Sequence, residues 1–471
     1  KRDTDQSRFE ENQVRFEENL AKLLQLAIYA AHFLGALGKH LSARQRATTH
    51  IDTSFPLTPP RDFKVLLPNS PVGSVTSAQF KDGQLRVFRG IALGRSLLRD
   101  WHSIFSIDDI APAHLMVTSA TSYSGLSEQS YPFHVQLPPT LLIQPPVDKQ
   151  QAVAHHSEFF YCPVLDEKTK PIFVSGRQGE KRYSSVAKMA LGLCHSEIGS
   201  QSLFDQFQSY LENTVGIDRK NLLIVTNSYA ESKAFYVALR PPFKEKASYV
   251  VADGQWATEE QVARSKLTEF PRQDRELLIA PMGAISRAVN LMHPSTGEPF
   301  FGGIAIAVRQ HPSPDDHQAI VSAVGKEVLD MMGRSSVTDI QRRARTVQNV
   351  FLSIPQIFSK LPESHVSNAN ISMKLPLVWT LAVNLTQLIG RSTRGGRKSV
   401  IWFLDAAFMP ETANGNPSGD MPNNSVLLAV RKLLGNAINK GDHSAQIIET
   451  LYGPIYHPLT RLKHFIHGAK L

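Results

Sequence analysis

Cysteine is scarce in this sequence. Only Cys162 and Cys194 occur among its 471 residues. Two thiols are too few for a disulfide framework, for a zinc site built from cysteines alone, or for an iron–sulfur cluster. We expect both side chains to be buried as small hydrophobic residues in a protein of the reducing cytoplasm.

Long hydrophobic runs are also lacking. The longest apolar stretch, residues 23–37, is interrupted by Gln25 and His32 and is too short to span a bilayer. The first residues show no signal-peptide pattern. We therefore expect a cytoplasmic protein with no membrane partner. The chain begins at Lys1 without an initiator Met, so we expect it to be a fragment.

Several catalytic patterns are absent as well. The sequence has no Gly-x-Ser-x-Gly elbow, no His-Glu-x-x-His helix and no spaced Cys/His set, which argues against hydrolases and metalloenzymes of those kinds. No metal site is expected, and the histidine pairs at 155–156 and 464–467 are interpreted as surface residues. A glycine-rich phosphate loop ending in Gly-Lys-Thr or Gly-Lys-Ser is missing too.

The composition is that of a folded, basic protein. Hydrophobic residues make up 42%, and Lys plus Arg minus Asp plus Glu is 51 − 42 = +9. This length predicts two or three packed units. A basic excess suits a polyanionic partner such as nucleic acid, although many basic proteins bind none.

From about residue 150 onward, short apolar runs alternate with helical patterns. This alternation predicts an α/β fold with a parallel sheet covered by helices on both faces. Thr258 to Gln261 forms a capping box that predicts the start of a helix. The predicted strands are 172–174, 222–225, 249–251, 277–280, 304–308 and 399–404, and the predicted helices are 184–195, 201–214, 230–239, 316–362 and 377–393.

The most specific pattern is the run from Gln387 through Gly390 and Arg391 to Arg394. Two arginines three apart at a helix end lie on one face and can bind a phosphate together, because guanidinium groups are always charged and fork-shaped. A generic arginine cluster is usually a solvated turn. The spacing Gln-x-x-Gly-Arg-x-x-Arg resembles motif VI of superfamily 2 helicases. The resemblance implies that Arg391 and Arg394 are catalytic arginine fingers, with Gln387 and Gly390 contacting the nucleotide.

Two further segments support this resemblance in the same chain order. Ser119 and Thr121 belong to a Thr-Ser-Ala-Thr tetrapeptide that resembles motif III, which couples ATP state to the grip on nucleic acid. Residues 222–235 read as strand, polar turn and helix, and resemble motif IV. Thr226 and Ser228 then either bind a nucleic-acid phosphate at the helix start or simply cap that helix; the two interpretations are equally good.

A last segment, residues 277–291, resembles motif V of DinG-like helicases, with departures in its run 286–291. Ser286 matches the Ser-Glu-Gly-hydrophobic-Asp pattern and is expected to contact nucleic acid. Arg287, Ala288 and Asn290 depart from it. Asn290 can still form hydrogen bonds at the nucleotide, but it carries no charge.

The DinG-like resemblance implies a RecA-like fold and a domain plan. Residues 1–60 correspond to a helical arch, 61–145 to the C-terminal part of a first RecA-like domain, and 146–471 to a second one with a helical insertion at about 311–370. The implied cofactor is ATP with Mg²⁺, and the implied partner is nucleic acid, foremost single-stranded DNA.

The phosphate loop and the magnesium-binding Asp-Glu box of such helicases are missing. Asp166-Glu167 lies in a polar turn and is interpreted as solvated. Either the chain is truncated or a separate polypeptide supplies these elements, in cis or in trans. Two functions remain open: the C-terminal half of an ATP-dependent helicase or translocase, and a catalytically inactive nucleic-acid-binding or scaffold protein on the same fold.

Overall fold

The computed structural model describes residues 74–81, 84–91, 121, 123, 155–195, 201–254, 258–285, 289–310 and 371–465. The predicted helical segment 1–60, the helical insertion at about 311–370, Ser119 and Ser286 lie outside these residues. The chain divides into two compact units. The first comprises Lys1–Met116 and Ser313–Phe358, and the second comprises Val117–Pro312 and Ser359–Leu471.

The described part of the first unit is a pair of antiparallel strands. Strand β1 (Ser74–Lys81) pairs along its whole length with β2 (Gln84–Ile91). The register places Ser74 opposite Ile91 and Lys81 opposite Gln84. The two strands follow each other directly along the chain, as is usual for antiparallel pairs.

The second unit is built on a parallel sheet, as the alternation of apolar runs and helices predicts. Its described strands pair in the order β10-β3-β9-β8-β4-β7-β5-β6, and every pair is parallel. The strands are β3 (Glu158–Tyr161), β4 (Asn221–Thr226), β5 (Ala247–Val251), β6 (Gln261–Ala263), β7 (Leu277–Pro281), β8 (Phe301–Ile306), β9 (Val400–Phe403) and β10 (Lys463–His464).

Helices connect these strands. They are α1 (Gly179–Cys194), α2 (Leu203–Val215), α3 (Tyr229–Ala238), α4 (Pro241–Glu245), α5 (Met282–Ile285), α6 (Ile371–Ile389), α7 (Pro410–Ala413), α8 (Val426–Ile438) and α9 (His443–Thr460). Within the described ranges, no helix is both long enough and apolar enough to cross a membrane.

Alternate residues of each strand enter two separate cores. Leu223 and Val225 of β4 pack on the face covered by α6, α8 and α9, whereas Leu222 and Ile224 pack on the face covered by α1, α2 and α3. Both faces are therefore buried, which explains why the strands read as continuous apolar runs. Cys162 and Cys194 lie as free, buried thiols in the second core, which confirms their predicted burial.

Two local predictions are wrong. Residues 172–174 do not join the sheet, because Val174 donates its amide to the Asp405 carboxylate and not to a neighbouring strand. The Thr258 amide does donate to the Gln261 side chain at 3.4 Å, as in a capping box, but no α-helix begins there, and a 3-10 helix follows only at Arg264–Arg272. Gln261 instead begins β6, where pairing with β5 overrides the local signal.

Candidate functional site

The two predicted arginine fingers lie in a turn that joins α6 to β9. Helix α6 ends at Ile389 and β9 begins at Val400. We call residues 390–399 the arginine turn. Its path is fixed by backbone: the Gly390 amide donates to Thr386 at 2.9 Å, and Gly395 has a φ of 67°, a left-handed value that favours glycine. The arginines therefore follow the helix and do not lie on its face.

Both arginines reach the segment that resembles motif V. The Arg391 guanidinium donates to the Val289 carbonyl at 2.5 Å, and the Arg394 guanidinium donates to the Asn290 side chain. The arginine side chains are partly buried, and Asn290 is exposed. The structure thus brings three predicted site residues, Arg391, Arg394 and Asn290, into one cluster.

Gln387 connects this cluster to the segment that resembles motif III. Its side-chain amide donates to the Thr121 hydroxyl at 3.1 Å. Two residues further on, the Tyr123 hydroxyl lies 2.8 Å from the Ser444 hydroxyl at the start of α9. The side-chain carbonyl oxygen of Gln387, Oε1, is buried and accepts no hydrogen bond from the part of the chain that the structure describes. Such an atom is costly unless a donor reaches it.

The cluster is strongly cationic. Burial lowers the pKa of the Arg391 guanidinium below its ordinary value, and the positive charge of Arg394 lowers it further. Two guanidinium groups that repel each other in a partly desolvated turn are stabilised when an oxyanion enters between them. The arrangement can therefore bind an anionic group such as a phosphate.

Thr226 and Ser228 lie at the other end of the sheet. They follow β4 at its carboxyl end, whereas the arginine turn precedes β9 at the amino end; β4 has six residues and spans about 20 Å. Thr226 is fully buried, and its hydroxyl bonds Ser228 and Ser232 at 3.2 and 2.8 Å. In this conformation no phosphate can reach the Thr226 hydroxyl.

Ser228 serves as the N-cap of α3. Its hydroxyl accepts from the Glu231 amide at 3.2 Å, and the Glu231 carboxylate accepts from the Asn227 amide at 2.8 Å. Arg182 of α1 pairs with the same carboxylate at 2.5 Å. The capping interpretation of Ser228 is therefore observed, and its contact with nucleic acid stays a prediction.

A buried carboxylate, Asp405, organises the carboxyl edge of the sheet. It follows β9, is fully buried, and accepts five hydrogen bonds at 2.7–3.1 Å. The donors are the amides of Val174, Ser175, Arg309 and Ala407 and the hydroxyl of Ser175. We did not predict this role, although a carboxylate directly after a buried strand is a recognisable signal.

A buried guanidinium, Arg219, organises the amino edge. It is 4% exposed and donates to four backbone carbonyls, those of Ser392 at 2.6 Å, Lys398 at 2.8 Å, Pro299 at 3.3 Å and Phe301 at 3.4 Å. Burial lowers its pKa to about 10, against the opposing charge of Glu298. Nothing in the sequence around Arg219 separates it from a surface arginine.

Among the residues that the structure describes, no three His, Cys, Asp or Glu side chains lie together as a metal site would require. A comparison of the chain with protein-family models and with curated protein sequences finds no match. Function is therefore inferred from the residues and their geometry alone.

Proposed function

We propose that this chain is the C-terminal half of an ATP-dependent nucleic-acid helicase or translocase, and that its second unit is a RecA-like domain of the DinG-like kind. One observation carries the proposal. The segments that resemble motifs III, V and VI are far apart in sequence, yet Thr121 bonds Gln387 and Asn290 bonds Arg394. These contacts bring together residues of three segments that the resemblance assigns to one nucleotide site.

The cluster fits the phosphates of a nucleotide. Arg391 and Arg394 would bind the terminal phosphate, Gly390 would let backbone approach it, and Asn290 and the buried Gln387 carbonyl would bond nucleotide groups. ATP with Mg²⁺ supplies the phosphoryl group that is transferred to water. The two guanidinium groups hold positive charge where negative charge develops, which lowers the barrier.

Mg²⁺ and the inner phosphates need other residues. The chain has no Gly-Lys-Thr or Gly-Lys-Ser loop, and the described residues show no acidic cluster beside the arginine turn. In this proposal the N-terminal helicase half supplies them, in cis or in trans. Thr121 then couples nucleotide state to nucleic-acid binding, because it is tied directly to Gln387.

The partner in this proposal is single-stranded nucleic acid. The net charge of +9 favours a polyanion, and Ser228 stands at the start of α3, where free amides attract phosphate. We expect binding that is independent of sequence and that weakens steeply with salt, because phosphate contacts release counterions.

A second candidate is a catalytically inactive nucleic-acid-binding or scaffold protein on the same fold. The specific observation for it is that Arg391 and Arg394 already contact residues 289–290, and that Asn290 is neutral. In that case both arginines serve to hold the turn and contribute no catalysis.

The decisive experiment measures ATP turnover by this chain after it is combined with the N-terminal half that carries the phosphate loop. Arg391→Ala and Arg394→Ala should each reduce kcat by about 10³–10⁵-fold with nucleic-acid affinity retained. Arg431→Ala, which removes an exposed arginine of α8, is the matched control. Near-normal turnover in both folded single variants would exclude the arginine-finger role and leave the scaffold function.

A separate experiment tests the chain alone. Titration with a fluorescent single-stranded oligonucleotide should show affinity that falls by orders of magnitude between about 50 and 200 mM salt. No nucleic-acid-stimulated phosphate release should accompany binding. Absence of binding at low salt would argue against the helicase and against a nucleic-acid-binding protein, and would leave only the scaffold function. Release at a helicase-like rate would show that the phosphate-binding residues lie within this chain.

A further inference from the structure

We propose that Arg219 is a positioning residue that sets the arginine turn in its active geometry. The proposal rests on the function proposed above. Arg219 lies outside the segments that resemble helicase motifs, and the hydrogen bonds of its side chain all go to backbone carbonyls.

Arg219 holds both ends of the arginine turn. One arm of its guanidinium donates to Ser392 at 2.6 Å, directly after Arg391, and the other donates to Lys398 at 2.8 Å, beyond Arg394. The turn between these anchors includes left-handed glycines, which leave the backbone free to adopt other paths. A clamp on both sides removes much of that freedom.

Arg219 also holds the segment that the arginines contact. It donates to Pro299 at 3.3 Å and to Phe301 at 3.4 Å, and the neighbouring Phe300 amide donates to Leu291 at 3.0 Å, one residue beyond Asn290. A single guanidinium therefore fixes the position of the arginine turn relative to the segment 289–301, which the two arginines contact.

The position of Arg219 is itself fixed by close packing. A Cβ added to Gly302 would lie 2.0 Å from the Arg219 carbonyl oxygen, so only glycine lets β8 pass this closely. An arginine is needed because its planar fork presents five donors in fixed directions. Lysine has three donors on one nitrogen and cannot span carbonyls on both sides.

The first test uses the chain alone. Hydrogen exchange followed by mass spectrometry on Arg219→Gln and Arg219→Lys should show the amides of residues 390–399 exchanging about tenfold faster or more, while α8 stays protected. Lys220→Gln, which changes the adjacent, partly exposed cation, is the matched control. Unchanged protection of the arginine turn in both variants would overturn the proposal, as would an equal loss over the whole unit.

The second test uses the reconstituted ATPase. Arg219→Gln should lower kcat by about 10²-fold, the cost of a small misplacement, with KM for ATP little changed. In an Arg391→Ala/Arg394→Ala background the same change should have no further effect, because Arg219 acts through these two residues of the turn. Multiplying effects would overturn the positioning role. If the proposed function is wrong, Arg394→Ala leaves turnover normal while Arg219→Gln still loosens the turn.

Discussion

The two edges of the sheet in the second unit are organised by buried charges of opposite sign. At the carboxyl edge, Asp405 accepts hydrogen bonds from four backbone amides and a hydroxyl. At the amino edge, Arg219 donates to four carbonyls. Each sign matches the backbone groups that the side chain binds, N–H groups for Asp405 and C=O groups for Arg219.

The two edges differ in which polar side chains remain available to bind a ligand. At the carboxyl edge, the hydroxyls of Thr226 and Ser228 are committed to the turn and to the cap of α3. At the amino edge, Arg391 and Arg394 stay partly exposed with their charges close together. Ligands of open α/β sheets usually bind at the carboxyl edge. Here the two arginines that could bind a nucleotide phosphate lie at the amino edge, where a second polypeptide segment could approach them.

Removal of the Asp405 carboxylate should have the largest effect on the stability of either edge. Asp405→Ala should cost about 3–5 kcal/mol of unfolding free energy, because buried donors lose their acceptor and the buried Arg309 loses its counter-charge. Urea denaturation measures the loss. Asp166→Ala, which removes a carboxylate from a surface turn, should change stability far less. A mild effect of Asp405→Ala would show that the carboxyl edge does not depend on its carboxylate.

The amino edge should be nearly as sensitive to a single methyl group. Gly302→Ala places a Cβ against the Arg219 carbonyl and should cost about 3 kcal/mol by overpacking. Gly283→Ala is the matched control, since nothing lies within 4 Å of its added Cβ. Thermal unfolding of the two variants gives the comparison. Equal stabilities would mean that the backbone at Arg219 can shift at little cost, and that Arg219 is not held firmly in place.

Features of the fold and of the site that depend on a local residue pattern can be predicted from the sequence. The apolar run 222–225 predicts β4, and the spacing from Gln387 to Arg394 predicts which arginines cluster. The sequence does not predict Arg219 or Asp405, because their partners are backbone groups 173 and 231 residues away that no side-chain pattern marks. The two-residue β10 is likewise too short to leave a periodic signal.

The Glu158 carboxylate, at the amino edge of the sheet, makes the stability of this edge depend on pH. Glu158 is partly buried, which opposes ionisation, but hydrogen bonds from Lys398, Lys463 and Tyr210 outweigh burial and lower its pKa from 4.5 to about 2. A lowered folded-state pKa contributes stability that is present above about pH 4.5 and is lost as pH falls toward 2.

We therefore expect Glu158→Gln to reduce unfolding free energy by about 1–2 kcal/mol near neutral pH, after discounting for solvent screening, and by progressively less from pH 4.5 to 2. Denaturation curves at several pH values measure the difference. Glu167→Gln, which changes an exposed carboxylate, should give a difference near zero throughout. A Glu158→Gln effect that ignores pH would indicate lost packing and not a lost charge.

The smallest expected effect separates the two interpretations of Ser228. As the N-cap of α3, its loss in Ser228→Ala should cost about 1 kcal/mol of stability. Ser202 caps α2 in the same way, accepting from the Asp205 amide at 3.2 Å, so Ser202→Ala should cost a similar amount. The two variants then differ only in position, since α3 begins at the edge where the motif IV resemblance places nucleic acid. Oligonucleotide affinity lowered in Ser228→Ala but not in Ser202→Ala would show that this cap also binds phosphate. Equal affinities would confine Ser228 to folding and leave nucleic-acid binding to other residues.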